Sequence, residues 1–68
     1  MSVYKVIELI GTSPVSWEEA AKSAVDQANK TLKDLRIAEV VTQDMKIEEG
    51  KVVAYRTKVR LSFRFHGE

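Results

Sequence analysis

The chain has no cysteine, one histidine, one proline and three glycines in 68 residues. The missing thiols exclude disulfides and thiolate metal sites. A lone His66 cannot by itself make a histidine-rich metal site. Charge of one sign is missing too. Eleven basic residues against ten acidic ones leave a formal net charge of +1, and with it no general attraction to nucleic acid or membrane. No apolar run approaches a membrane span. The opening Met1-Ser2-Val3-Tyr4-Lys5 lacks the basic segment and apolar core of a signal peptide, so the expected compartment is the cytoplasm. No glycine-rich phosphate loop, nucleophile elbow or paired-histidine motif occurs. Ser13 and Ser16 have no local histidine partner, and the adjacent Glu18 and Glu19 point apart on a helix. No catalytic residue is assigned, and an enzyme is not expected.

A chain of this size buries only about 60% of its unfolded surface and is marginal alone. With disulfides excluded, self-association or an oxygen-ligated cation is the stabiliser left. One domain over residues 1–68 is expected, with no linker, repeat or low-complexity tract.

The patterning gives the order strand, helix, strand, strand. In the first strand, expected from Ser2 to Ile10, Val3, Ile7 and Leu9 fall on one side and Tyr4, Val6 and Ile10 on the other. Gly11-Thr12-Ser13-Pro14 reads as a breaker. A helix opens at Ser16, where Ser16 and Glu19 predict a reciprocal capping box. Its apolar stripe runs through Trp17, Ala20, Ala21, Ala24, Val25, Ala28, Leu32 and Leu35. The alanines in the middle predict a close approach to the sheet. From Arg36 the period becomes alternating, with Ile37, Glu39, Val41, Gln43, Met45 and Ile47 on one face. Glu48-Glu49-Gly50-Lys51 is a turn in which Gly50 can take positive φ. The last strand is the most informative segment. Val53, Tyr55, Thr57, Val59, Leu61, Phe63 and Phe65 share one face, and Arg56, Lys58, Arg60, Ser62, Arg64 and His66 the other. One short helix cannot cover an apolar face that long, so another copy of the chain is the expected cover.

Two surface features invite functional readings. The basic face Arg56, Lys58, Arg60 and Arg64 could track phosphates as a small nucleic-acid- or protein-interaction module. The plainer reading pairs those cations with carboxylates such as Glu39 and Asp44 across the hairpin. Near-neutral total charge favours the plainer reading, and a nucleic-acid partner is not expected. Asp44, Glu48 and Glu49 offer hard oxygen ligands to a divalent cation but do not match an EF-hand loop. Trp17 is expected to be a packing anchor at the helix start.

The Tyr4-Lys5-Val6-Ile7-Glu8-Leu9-Ile10-Gly11-Thr12-Ser13 run, the capped helix at Ser16 and Trp17, the Ile37-Ala38-Glu39-Val40 strand and the Ala54-Tyr55-Arg56-Thr57 strand resemble the dodecins. The resemblance covers essentially the whole chain. It implies an α+β protomer of β-α-β-β order, with a three-stranded antiparallel sheet curled around one helix. It further implies twelve protomers in a hollow shell that binds and stores ligands without catalysis. Flavin-binding dodecins stack a tryptophan on the flavin just before the Ala/Phe-Glu-Val segment, where this chain has Ile37. They follow the tyrosine of the last strand with a glutamine, where this chain has Arg56. A pocket near Ile37, Glu39, Gln43 and Arg56 therefore lacks both signature contacts, and flavin mononucleotide or riboflavin is the less favoured ligand, its retention the alternative. Other branches hold metal ions, which makes calcium at Asp44, Glu48 and Glu49 the corresponding expectation.

Overall fold

The computed structural model describes residues 1–66. Four elements follow in the expected order: β1 (Tyr4–Ser13), α1 (Trp17–Asn29), β2 (Leu35–Glu48) and β3 (Lys51–Arg64). The sheet is antiparallel throughout with spatial order β1-β3-β2, so the last strand lies in the centre.

β1 does not stop at Ile10. It continues through Gly11, Thr12 and Ser13, which pair with Thr57, Arg56 and Tyr55. The glycine read as a breaker is instead a packing residue. It is buried, and a Cβ built on it would lie 1.9 Å from the carbonyl oxygen of Ala20. The helix backbone rests directly on the strand at this point. Ala20, Ala24 and Ala28 continue the seam, each at most 5% exposed. The close approach expected from the alanine stripe is present.

The helix begins where the capping pattern places it, but only half of the box forms. The Ser16 hydroxyl accepts the Glu19 amide at 3.0 Å. The Ser13 hydroxyl, rather than Glu19, accepts the amides of Val15 (2.9 Å) and Ser16 (3.4 Å). Both serines are therefore committed to shaping the helix start. The far end is shorter than the apolar stripe predicts. α1 closes at Asn29, with the amides of Thr31 and Leu32 returning to the Ala28 carbonyl. Leu32 and Leu35 still pack on the core, from a turn and from the start of β2. Asp34 between them takes φ 62°, a left-handed conformation that Asp tolerates better than most residues.

β2 departs from simple alternation. Bulges at Arg36 and Val41 leave those residues unpaired, since Leu35 and Ile37 oppose Phe63 and Ser62, and Val40 and Thr42 oppose Val59 and Lys58. Each bulge switches the facing of the residues beyond it. Ile37 and Glu39 thus share the outer, helix-free face with Ser62 and Arg60, whereas Gln43 and Met45 share the inner face with Thr57 and Tyr55. A third irregularity leaves Val53 unpaired on β3, and Val52 takes the place opposite Ile47 that alternation gave to Val53. The hairpin turns through Glu49 (φ 51°) and Gly50 (φ 76°), the two consecutive positive values of a type I′ turn.

The core is small: Ala24, Ala28, Val59 and Leu61, flanked by Ile7, Leu9, Ala21, Val25, Leu32 and Leu35. The lengths explain this. A 14-residue strand spans about 46 Å, and a 13-residue helix about 20 Å. The helix lies over β1 and β3 and scarcely touches β2. Val40 is therefore 52% exposed although its partner Val59 is fully buried. Met45, Ile47, Val52 and Val53 extend the uncovered strip towards the hairpin tip.

Candidate functional site

The outer face of the sheet carries most of the chain's organised charge. Antiparallel register places Glu8, Arg60 and Glu39 in one rung across all three strands. Arg60 donates to Glu8 Oε2 from Nε (3.1 Å) and Nη2 (2.8 Å), and to Glu39 Oε1 from Nη1 (3.4 Å). Lys58 stands 4.0 Å from Glu8. A second rung joins Thr12, Arg56 and Asp44. Here the Arg56 guanidinium grips the Asp44 carboxylate through two parallel bonds, Nε to Oδ1 at 2.7 Å and Nη2 to Oδ2 at 2.8 Å. That fork is the strongest geometry a surface ion pair can adopt. The basic face is thus paired at Arg56, Lys58 and Arg60, by the expected Glu39 and Asp44 and by Glu8. The sequence reading missed Glu8, whose facing signalled it: it shares the parity of Tyr4, Val6 and Ile10. Arg64 lies opposite Tyr4 at the end of the same face.

The other side of the Asp44 rung holds the helix. The Trp17 indole donates from Nε1 to the Asp44 carbonyl at 3.0 Å and meets the Tyr55 ring edge-on, with centroids 5.2 Å apart. The Trp17 carbonyl accepts the buried Thr57 hydroxyl at 2.9 Å. Trp17 is the packing anchor expected of it.

Within one protomer the residues singled out for a ligand pocket do not converge. Ile37 lies opposite Ser62 and Arg56 opposite Asp44, six positions apart on β3 and so about 20 Å along the strand. Glu39 sits between them on the outer face, and Gln43 is on the inner one. Ile37 instead borders a 180 Å³ cleft beside the helix end, with Val25, Asn29, Leu35, Arg36, Ala38 and Leu61. The cation candidates are also separate. Asp44 is held by Arg56, Glu48 lies 3.3 Å from Lys46, and Glu49 occupies the turn. Among the described residues no three His, Asp or Glu side chains come together around a common point. Calcium takes six to eight oxygen ligands, more than the carboxylates gathered at any one point among the described residues of one protomer. No helix among the described residues is long and apolar enough to cross a membrane.

The family model for dodecin matches residues 3–66. The chain belongs to the dodecin family. It is 50% identical over 64 residues to calcium dodecin of Mycobacterium tuberculosis, covering 94% of this chain and 90% of that protein. The crystal structure of that calcium dodecin, described as calcium-chelating with a novel calcium-binding site, superposes with a TM-score of 0.86 at 48% identity, over 98% of this chain and 96% of the other. A dodecin from Streptomyces coelicolor gives a TM-score of 0.93 at 34% identity, over the same 98% and 96%. The β-α-β-β order and three-stranded antiparallel sheet expected from the resemblance are therefore the dodecin fold.

The ion pairs of this dodecin chain carry a pH dependence. Hydrogen bonds from Arg60 hold the Glu8 carboxyl below its ordinary 4.5, with the charges of Arg60 and Lys58 adding to the effect. Arg56 lowers Asp44, and His66 lowers Asp34, from their ordinary 3.8 in the same way. A carboxylate whose folded pKa is depressed stabilises the fold above its unfolded pKa and loses that contribution as pH falls through the folded one. These carboxylates are expected to make stability against urea decline below about pH 4.5. Glu8→Gln and Asp44→Asn should each shallow the decline. Stability that rises on acidification below pH 4 would contradict the assignment.

Proposed function

We propose that the chain is a non-enzymatic storage protein, a homododecamer of the cytoplasm that takes a divalent cation such as calcium in preference to a flavin. The observation that carries this is the 50% identity to calcium dodecin along nearly the whole chain. The long hairpin supports assembly. Its apolar strip at Val40, Met45, Ile47 and Val52 has no cover within the protomer, and other copies of the chain are the cover.

Two features argue against a flavin. The position where the resemblance implies a stacking tryptophan is Ile37, which offers no π-face. Arg56, standing where the resemblance implies a glutamine, cannot accept a hydrogen bond from a ring imide, and its fork is already committed to Asp44. The cation site draws on Asp44, Glu48 and Glu49 of more than one protomer, because among the described residues of one protomer no three such side chains come together. Binding to nucleic acid through the basic face is disfavoured by the pairing of Arg56, Lys58 and Arg60.

Native mass spectrometry of the purified protein tests this, with and without calcium and flavin mononucleotide. The expected result is a twelve-chain mass that gains calcium and not flavin. A monomeric or dimeric mass overturns the assembly, and flavin adducts without calcium overturn the ligand. The variant Ile37→Trp with Arg56→Gln is expected to gain flavin mass while keeping the twelve-chain state.

A further inference from the structure

His66 takes no part in the outer-face ion pairs or in the Trp17 anchor, yet it is held. Its Nε2 contacts Oδ2 of Asp34, the residue in left-handed conformation that turns the chain from the helix exit into β2. The backbone closes around that contact. The Arg64 amide donates to the Asp34 carbonyl at 3.1 Å, and the Phe65 amide donates to the Val3 carbonyl at 2.8 Å. Three consecutive residues after the core of β3 thus tie it to the starts of both neighbouring strands. Residues just past the end of a strand commonly fray; here a side-chain contact and two backbone bonds oppose fraying.

We propose that His66 and Asp34 form a pH-sensitive clasp that fastens the end of β3 to β1 and β2 when the imidazole is protonated. An imidazole ordinarily titrates near pH 6.5, and a carboxylate well below that. Between those limits the contact joins an imidazolium to a carboxylate. Above them the ring is neutral, and only an ordinary hydrogen bond from one tautomer remains. Fixed charges surround the contact. From the start of β2 the Arg36 guanidinium stands 3.8 Å from the Asp34 carboxylate. Arg64 lies two residues from His66 on its own strand. On the β1 side, Tyr4 pairs with Arg64 and Lys5 with Phe63. Arginine and lysine keep their charge, and tyrosine stays neutral, from pH 5 to 8. Two fixed guanidiniums and the Asp34 carboxylate are therefore the charges that surround the imidazole. The end so fastened carries the exposed Val3, Tyr4 and Phe65, so the clasp also fixes the arrangement of an apolar patch.

Hydrogen exchange of the full-length protein, read by mass spectrometry on the peptide spanning Arg64 and Phe65 and corrected for intrinsic rates, tests the clasp independently of ligand or subunit number. Protection there is expected to fall about two- to fivefold between pH 5.5 and 8, the range an exposed charge pair supplies. His66→Gln and Asp34→Asn should remove or reverse that slope. Asn tolerates the left-handed conformation at position 34, so the second variant removes charge and leaves the backbone in place. A wild-type profile without slope, or a slope that survives in His66→Gln, overturns the proposal.

Discussion

Gly11→Ala is expected to destabilise the protein by about 3 kcal/mol, at the upper end of what forced overpacking ordinarily costs. A chain of this length has roughly 3–10 kcal/mol of total stability to lose. The added methyl would sit 1.9 Å from the Ala20 carbonyl oxygen and 2.9 Å from both the Ala20 carbonyl carbon and the Ser23 hydroxyl. A rotating side chain could relieve the last contact, but the first two are with helix backbone. Relief requires lifting the helix from the strand, which opens the seam at Ala20, Ala24 and Ala28 and loosens the Trp17 bonds to Asp44 and from Thr57. Gly50→Ala is the control. Gly50 has open space around it but φ 76°, so its cost is the roughly 1–2 kcal/mol of left-handed backbone alone. Thermal unfolding followed by circular dichroism ranks the two, and a Gly11→Ala protein within about 1 kcal/mol of wild type would mean that the helix backbone does not rest directly on β1.

Gly11 also shows where legibility ended. The strand–helix–strand–strand order, the Ser16 cap, the glycine turn and the buried face of β3 were readable because each rests on local chemistry or on periodicity. Glycine is a breaker by propensity and a contact residue by tertiary need, and only the second applies at position 11. The helix end was misread for a similar reason. Leu32 and Leu35 keep helical spacing with the stripe, yet they reach the core from a turn and a strand. The bulges at Arg36, Val41 and Val53 carry no local mark, and each reverses a facing that alternation would assign. Gln43 and Ile37 consequently lie on opposite faces of the sheet, although their spacing along β2 puts them together. The cross-strand pairs fared better, because opposite charges on facing strands are stabilising wherever register brings them together. Glu39 and Asp44 were found this way. Glu8 was not, since its pairing with Arg60 joins residues 52 positions apart and depends on which strand occupies the centre.

Leu61→Ala is expected to cost about 2–5 kcal/mol, the range for truncating a leucine in a packed core. Leu61 is 1% exposed and belongs to the cluster with Ala24, Ala28 and Val59. The alanines around it are short and fixed by helix backbone, so little can move into the space and the upper half of the range applies. A similar truncation elsewhere tests a different claim. Ile37 is 62% exposed in the protomer, so Ile37→Ala should change the stability of an isolated chain by no more than about 0.5 kcal/mol. If copies of the chain cover that face, the same truncation removes buried surface from an interface, and its cost rises above that limit. Leu61→Ala should lower stability equally at every protein concentration, because its loss is internal. The Ile37→Ala deficit, by contrast, should be largest where the assembly is intact and shrink towards the isolated-chain limit as dilution favours dissociation, since folding and association are linked by mass action. Unfolding midpoints measured over roughly a hundredfold range of concentration separate the two behaviours. An Ile37→Ala protein indistinguishable from wild type at every concentration would leave that part of the outer face uncovered in the assembly.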